Sequence, residues 1–173
     1  MIQNIIQTNR LVLRKMHKGD AEALFEIWSN PSVTKYMNIE GFTDIKQAEE
    51  MISYLSELSE GNKAIRYTIL EAKTNTIIGS CGFNTMDFTE GIAEVGYDLD
   101  TEFWNKGYGT EAVNCLVDYA FYQLKCNKIV AKVDPDNVSS IKLLRKLDFV
   151  LESRIRDGED QSNLNVYTKL SSK

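Results

Sequence analysis

The chain has 173 residues, 43% of them hydrophobic and 26% charged, enough for one domain with a sizeable core. Its net charge of −5 argues against nucleic acid as a partner, and no apolar run is long enough to span a bilayer. Cys81, Cys115 and Cys126 lie far apart with no C-x-x-C pair, and His17 is the only histidine, so a disulfide framework, a metal site and a histidine triad are all disfavoured.

The amino-terminal residues alternate polar and apolar too early for a signal peptide, and the scattered thiols fit a cytoplasmic protein. Residues 11–15 alternate as a first strand. Asp20 is placed to cap a helix that turns Leu24, Phe25 and Trp28 inward, with Pro31 breaking it. A second helix is expected over residues 44–60, with Ile45, Ala48, Met51, Ile52, Leu55 and Leu58 on one face. Residues 65–69 alternate as a strand, and Lys73-Thr74-Asn75 turn into another at 77–83. A polar loop over 86–91 leads to a third at 92–99. Short turns between three consecutive strands predict an antiparallel meander. Gly96, inside the third, suggests a bulge or a close backbone approach. Helix, strand, helix, strand and strand follow, with a strand at 129–133 and a helix running to Leu147. That order is α+β and disfavours a doubly wound parallel sheet.

The most specific stretch is Asn105-Lys106-Gly107-Tyr108-Gly109-Thr110-Glu111. There, a glycine-paired turn opens into an amphipathic helix beginning at or near Gly109, with Ala112, Val113, Leu116, Val117, Ala120, Phe121 and Leu124 at helical spacing. A helix start carries unpaired N–H groups and partial positive charge, and glycines let an anion approach them closely. The turn formally satisfies G-x-G-x-x-G/A, but no strand precedes it directly and no alternation of strand and helix lies upstream. A P-loop is excluded, because Lys106 precedes the glycines and no G-K-[ST] occurs. A plain helix-entry turn is the remaining alternative.

Together with this loop, Asp134-Pro135-Asp136-Asn137-Val138-Ser139-Ser140 through Phe149 resembles the GNAT superfamily of acyl-CoA N-acyltransferases. The nearer resemblance is to its branch of ribosomal-protein N-terminal acetyltransferases. Gly107 and Gly109 match the family's loop, while Asn137 and Ser140 match its second signature. Asn9-Arg10-Leu11-Val12-Leu13-Arg14, Glu94-Val95-Gly96-Tyr97 and the closing strand with Tyr167 extend the match over nearly the whole chain. The resemblance implies one domain over residues 1–173. Its fold would be a mixed, mostly antiparallel sheet of about seven strands flanked by about four helices, with splayed central strands. It also implies acetyl-CoA as co-substrate, an amine acceptor (a peptide N-terminus or a small amine), and a monomer or homodimer. The cofactor would lie against Leu99, Asn105, Lys106, Gly107, Tyr108, Gly109, Thr110, Asn137 and Ser140. Lys142 and Lys146 are further candidate partners for its phosphates. Ser140 would protonate or solvate the departing thiolate, and Glu94 would act as base.

Several residues depart from the family pattern. Trp104 takes a Q/R position, where it is expected to pack rather than donate. Asp148 replaces the glycine of a G-F pair, so the preceding helix must end on an aspartate in the left-handed conformation. Leu144 stands where many relatives carry a proton-donating tyrosine, and Ser162 or Asn163 where an acidic residue is expected. Asn137 could equally be a helix cap, Glu94 a solvent-facing strand residue, and Glu111 is a second candidate base. The acidic run Asp157-Gly158-Glu159-Asp160 would attract a cationic acceptor or be a solvated turn. A domain that binds acyl-CoA as a sensor without turning it over is the alternative outside enzymes.

Overall fold

Leu11 and Leu13, and then Ile65, Tyr67 and Ile69, put every second side chain on one face of adjacent strands, where all five are buried. The computed structural model describes residues 2–37, 39–157 and 162–172. Among them a single sheet holds eight strands: β1 (Ile5–Gln7), β2 (Leu11–Lys15), β3 (Ile65–Glu71), β4 (Thr76–Asp87), β5 (Ile92–Leu99), β6 (Lys128–Val133), β7 (Val150–Asp157) and β8 (Ser162–Leu170). Their order is β1-β2-β3-β4-β5-β6-β8-β7, and only β5 and β6 pair in parallel. The α-helices are α1 (Ala21–Trp28), α2 (Pro31–Thr34), α3 (Ile45–Glu60), α4 (Tyr108–Asp118) and α5 (Val138–Lys146).

The expected α+β order is present, with one strand and one helix beyond the anticipated seven and four. The additions, β1 and α2, span three and four residues, too short for a periodic signal. Pro31 does not break α1, which stops at Trp28. It opens α2 instead, a position where its missing N–H is no loss, and Asn30 accepts from the Ser32 N–H at 3.0 Å. Asp20 directly precedes α1 but does not cap it with its side chain. The buried carboxylate instead accepts from Arg14 Nη1 and Nη2 (3.1 and 2.8 Å), Thr68 Oγ1 (2.7 Å) and the His17 N–H (3.1 Å). The expected polar loop at 86–91 is shorter than that, because β4 continues to Asp87. The Asp87 carboxylate then accepts from the Thr89 and Glu90 amides at 2.9 and 3.0 Å to close a turn.

Two apolar clusters lie on the two faces of the sheet. The larger sits beneath α4 and α5 and includes Tyr67, Phe83, Val95, Leu116, Ile129 and Tyr167. The smaller joins α1, α2 and α3 through Leu24, Trp28, Val33, Ala48 and Ile52. Each fully buried Leu, Ile or Phe contributes about 1.5–3 kcal/mol relative to exposure.

The middle of the sheet opens. β5 pairs with β6 at Ile92↔Lys128, Ala93↔Ile129 and Glu94↔Val130, and nowhere beyond. β5 stays with β4 as far as Gly79↔Leu99, while β6 stays with β8 as far as Val133↔Asn165. The two parallel strands therefore part after Glu94, the splay that the family resemblance implies. The bulge expected at Gly96 is absent, since Gly96 sits in register opposite Gly82. The register shift falls on β4 instead, between Phe83 and Thr85, with Asn84 as the extra residue. Gly96 is a site of close approach, where an added Cβ would lie 2.8 Å from Asn84 Nδ2 and 3.3 Å from Arg66 Nη1.

At the end of α5, Asp148 takes the left-handed conformation at φ +64°. Its N–H donates to the Arg145 carbonyl and that of Phe149 to the Leu144 carbonyl, both at 3.0 Å, which forms a Schellman closure. An L-residue in this conformation costs roughly 1–2 kcal/mol. Asp148→Gly should therefore stabilise the fold by about 1 kcal/mol, raising Tm by about 2–4 °C in calorimetry. An unchanged Tm would show that the aspartate offsets its own strain.

Candidate active site

Asn105 (φ +58°) and Gly107 (φ +82°) both turn left-handed, folding the chain back from a short helical turn (Thr101–Phe103) into α4. Gly107 is the N-cap, so α4 starts at Tyr108, beside the expected Gly109. The Glu111 N–H donates to the Gly107 carbonyl at 3.0 Å, the first helical bond of α4. The amides of Tyr108, Gly109 and Thr110 precede it and form the anion-attracting end of the helix.

Arg10 braces this loop. Its Nη1 donates to the Lys106 carbonyl at 2.9 Å, its guanidinium lies 4.3 Å over the Tyr108 ring, and its Nε donates to Glu111 Oε2 at 2.7 Å. Glu111 also accepts from Thr8 Oγ1 (2.6 Å) and the Arg10 N–H (2.8 Å). Burial works to raise the Glu111 carboxyl, but these partners outweigh it and hold the group below its ordinary range. Glu111 is thus a brace between the amino-terminal strands and α4, which removes it as a candidate base. The Tyr108 hydroxyl donates to Glu71 Oε2 at 2.7 Å, so that side chain is committed to β3 and only its amide belongs to the helix end.

Along β5, the Asp100 N–H donates to the Ile78 carbonyl, so by alternation the backbone groups of Val95, Tyr97 and Leu99 face the gap toward β6. Trp104 departs from its expected packing role, because its Nε1 donates to the Leu99 carbonyl at 2.9 Å. Of the polar groups expected from Leu99, the carbonyl is occupied by this indole.

The side chains of Val95, Tyr97 and Leu99 lie on the α4 face of the sheet. Tyr97 reaches α5, where its hydroxyl is 3.0 Å from Ser140 Oγ, and either group can donate. Burial pushes the Tyr97 phenol above its ordinary range, with the Ser140 hydrogen bond pulling partly the other way. Gly109 packs beside this pair. An added Cβ there would lie 3.2 Å from both Tyr97 Cε2 and Leu143 Cδ1 and 3.5 Å from Leu99 Cδ1. Asn137 is the N-cap of α5, its Oδ1 accepting from the Ser140 N–H at 3.3 Å, so it fixes the turn that carries Ser140. Leu144 is buried in the larger core.

Glu94 projects from the opposite face, at the last residue pair before the strands part. Its carboxylate is mostly buried, lies 3.4 Å from Lys132 Nζ and accepts from Asn84 Nδ2 at 3.4 Å. Asn84 Oδ1 accepts from Arg66 Nη1 at 3.2 Å, and Arg66 Nη2 donates to the buried Asp98 carboxylate at 2.8 Å. Ser80 Oγ and Trp28 Nε1 also donate to Asp98, tying α1 to this network.

Sequence reasoning did not single out Tyr97 as a hydroxyl donor, Asn84 as a bulge, or Lys132 and Arg10 as site neighbours. Strand alternation carries the signals for Tyr97 and Lys132, which it places on opposite faces of the split. The cysteines are free thiols, and burial pushes Cys115 to about 11 and Cys81 higher still. Neither is poised as a nucleophile. Gly158, Glu159 and Asp160 of the acidic run lie outside the described residues, as does the side chain of Ser162. Among the described residues, no three His, Cys, Asp or Glu side chains are grouped to hold a metal, and no helix is long and apolar enough to cross a membrane.

Residues 10–150 match the sequence pattern of the Acetyltransferase (GNAT) domain. An uncharacterised N-acetyltransferase of Bacillus licheniformis, p20, is 49% identical over 154 residues, which is 89% of this chain and 86% of that protein. Among solved structures, RimL, a ribosomal L7/L12 α-N-protein acetyltransferase in complex with coenzyme A, superposes with a TM-score of 0.87 at 22% identity. The match covers 96% of this chain and 97% of that one. A ribosomal-protein-S5-alanine acetyltransferase from Vibrio fischeri gives a TM-score of 0.82 at 22% identity over 97% of both chains. At such identities the likeness is one of fold.

Proposed function

The chain belongs to the GNAT acetyltransferase family and is an N-acetyltransferase that draws its acetyl group from acetyl-CoA; on that premise we propose that it acetylates the α-amine of a peptide or protein by direct attack on the thioester. One observation carries the reading. Where β5 and β6 part, the Tyr97–Ser140 hydroxyl pair lies on one face of the sheet and the Glu94 carboxylate on the other.

The pyrophosphate takes the Tyr108, Gly109 and Thr110 amides, with Asn105, Lys106 and Gly107 shaping the turn that presents them. The pantetheine arm runs along the gap-facing edge of β5, past Leu99. This brings the thioester between the two faces. The amine arrives from the Glu94 side and its nitrogen attacks the carbonyl carbon. As the C–S bond breaks, the thiolate takes a proton from the Tyr97–Ser140 pair, and the proton shed by the acylated nitrogen passes to Glu94 or water and makes that loss good. The raised thiols of Cys81 and Cys115 favour this direct route over an acyl-enzyme.

The α-amine is favoured by ionisation. At pH 7 an α-amine of pKa ~7.8 is neutral in about one molecule in seven, whereas a lysine of pKa ~10.4 is neutral ~0.04% of the time. The α-N-protein and alanine acetyltransferases among the fold neighbours support the same choice, and the thiol chemistry fits a cytoplasmic protein.

The test is the pH dependence of kcat/KM with a panel of peptides and polyamines. With a peptide α-amine the rate should climb to roughly pH 8 and then level off, following the free amine. Glu94→Gln should cost less than about tenfold if water can carry the proton away. An apparent pKa near 6 that disappears in Glu94→Gln would make the carboxylate an obligatory base. Turnover of spermidine but of no peptide would overturn the acceptor assignment.

A further inference from the structure

Alternation along β6 buries Ile129, Ala131 and Val133 in the larger core and sends Lys132 to the opposite face, the one that carries Glu94. Lys132 stands two residues past the last β5–β6 pair, so its side chain lies on the far bank of the gap. There its Nζ reaches across to 3.4 Å from Glu94 Oε2. A primary amine is therefore already seated at the carboxylate that the proposed mechanism offers to its acceptor. The side chain is one-third exposed, on a flexible four-carbon stem.

We propose that Lys132 is a self-acetylation site: with acetyl-CoA bound and no acceptor present, the Lys132 ε-amine takes the acetyl group. This rests on the cofactor placement argued above. The Lys132 ammonium gives one proton to Glu94, which passes it to solvent. The neutral nitrogen attacks the thioester carbonyl, the C–N bond forms and the C–S bond breaks. The departing thiolate takes a proton from the Tyr97–Ser140 pair, which is made good by the second proton of the acylated nitrogen. The net products are acetyl-lysine, free coenzyme A and one proton. The reaction is a slow single turnover, helped by an amine held in place. The product has lost its charge, which dissolves the Glu94–Lys132 ion pair and changes what a cationic acceptor meets.

The test uses the folded full chain, acetyl-CoA and no amine acceptor, followed by intact-mass measurement and peptide mapping. One acetyl group per chain should accumulate at Lys132, about tenfold or more ahead of the surface lysines Lys106, Lys142 and Lys146. Excess coenzyme A should suppress it, and so should a good peptide acceptor. Lys132→Arg, which keeps the cation beside Glu94, should abolish the adduct. If the same preparation acetylates a peptide while Lys132 stays unmodified, the self-acetylation proposal falls and the cofactor site stands. If calorimetry detects no coenzyme A binding, both fall together. Acetyl groups scattered evenly over the lysines, and equally so on heat-unfolded chain, would mark solution chemistry and overturn the proposal.

Discussion

Gly109→Val should abolish detectable coenzyme A binding while leaving the chain folded. An added Cβ at this position would lie 3.2 Å from Tyr97 Cε2 and Leu143 Cδ1, so the branched methyls of valine must displace one or both. Overpacking of this kind costs about 1–3 kcal/mol, within the 5–15 kcal/mol stability of an ordinary domain. Binding suffers more, because the first turn of α4 must shift and its amides lose their aim at the pyrophosphate. Hydrogen bonds to a charged group contribute roughly 1.5–3 kcal/mol each, so losing two weakens affinity by about 10²- to 10⁴-fold. Gly107→Ala should be milder. Its left-handed φ of +82° strains an alanine, but the nearest atom, Arg10 Nη2 at 3.1 Å, is the far end of a flexible side chain and can move. Titration calorimetry gives the affinities and circular dichroism checks the fold. Coenzyme A affinity in Gly109→Val within about threefold of the parent would place the pyrophosphate elsewhere. Micromolar NAD affinity in the parent chain would instead revive a dinucleotide site.

Legibility in the sequence followed the range of the interactions involved. The meander of β3, β4 and β5 was readable because each strand alternates and each turn is short. The loop at 105–111 was readable because glycines and helical periodicity are local signals. Asp148 was foreseen in its left-handed role because a missing glycine at a helix end leaves few alternatives. The failures concern side chains whose partners lie far away in the chain. Asp20 looked like a cap, yet Arg14 and Thr68, brought in by neighbouring strands, take its carboxylate. Glu111 looked like a residue near a helix dipole or a base, but Thr8 and Arg10 meet it from a hundred residues away. Gly96 drew attention as the only irregular residue visible in β5, whereas the extra residue, Asn84, sits on the neighbouring strand and carries no mark. Leu144 read as a lost proton donor. The hydroxyl that meets Ser140 comes instead from Tyr97, a residue of β5, across the fold. Tyrosine at position 144 would have to enter a packed core, so Leu144→Tyr carries an overpacking cost of about 1–3 kcal/mol.

The Tyr97–Ser140 pair gives the second large expected effect, and its signature is non-additivity. Ser140→Ala and Tyr97→Phe should each lower kcat by up to about 10²-fold, the range of a single general acid, with KM for acetyl-CoA little changed. Phenylalanine keeps the ring against Gly109, so the loss reads the hydroxyl rather than the packing. If the two hydroxyls act as one donor, 3.0 Å apart, the double variant should be no slower than the worse single. Losses that multiply would mean two independent roles, and an undiminished Tyr97→Phe would leave Ser140 or a water as the acid. The pH profile supplies a second check. The donor must hold its proton to work, and burial raises the Tyr97 phenol above its ordinary value near 10. The parent kcat should therefore show no basic limb between about pH 8 and 10. A fall in kcat within that window that vanished in Tyr97→Phe would assign the donor to a phenol with a depressed pKa, contrary to the buried environment seen around it.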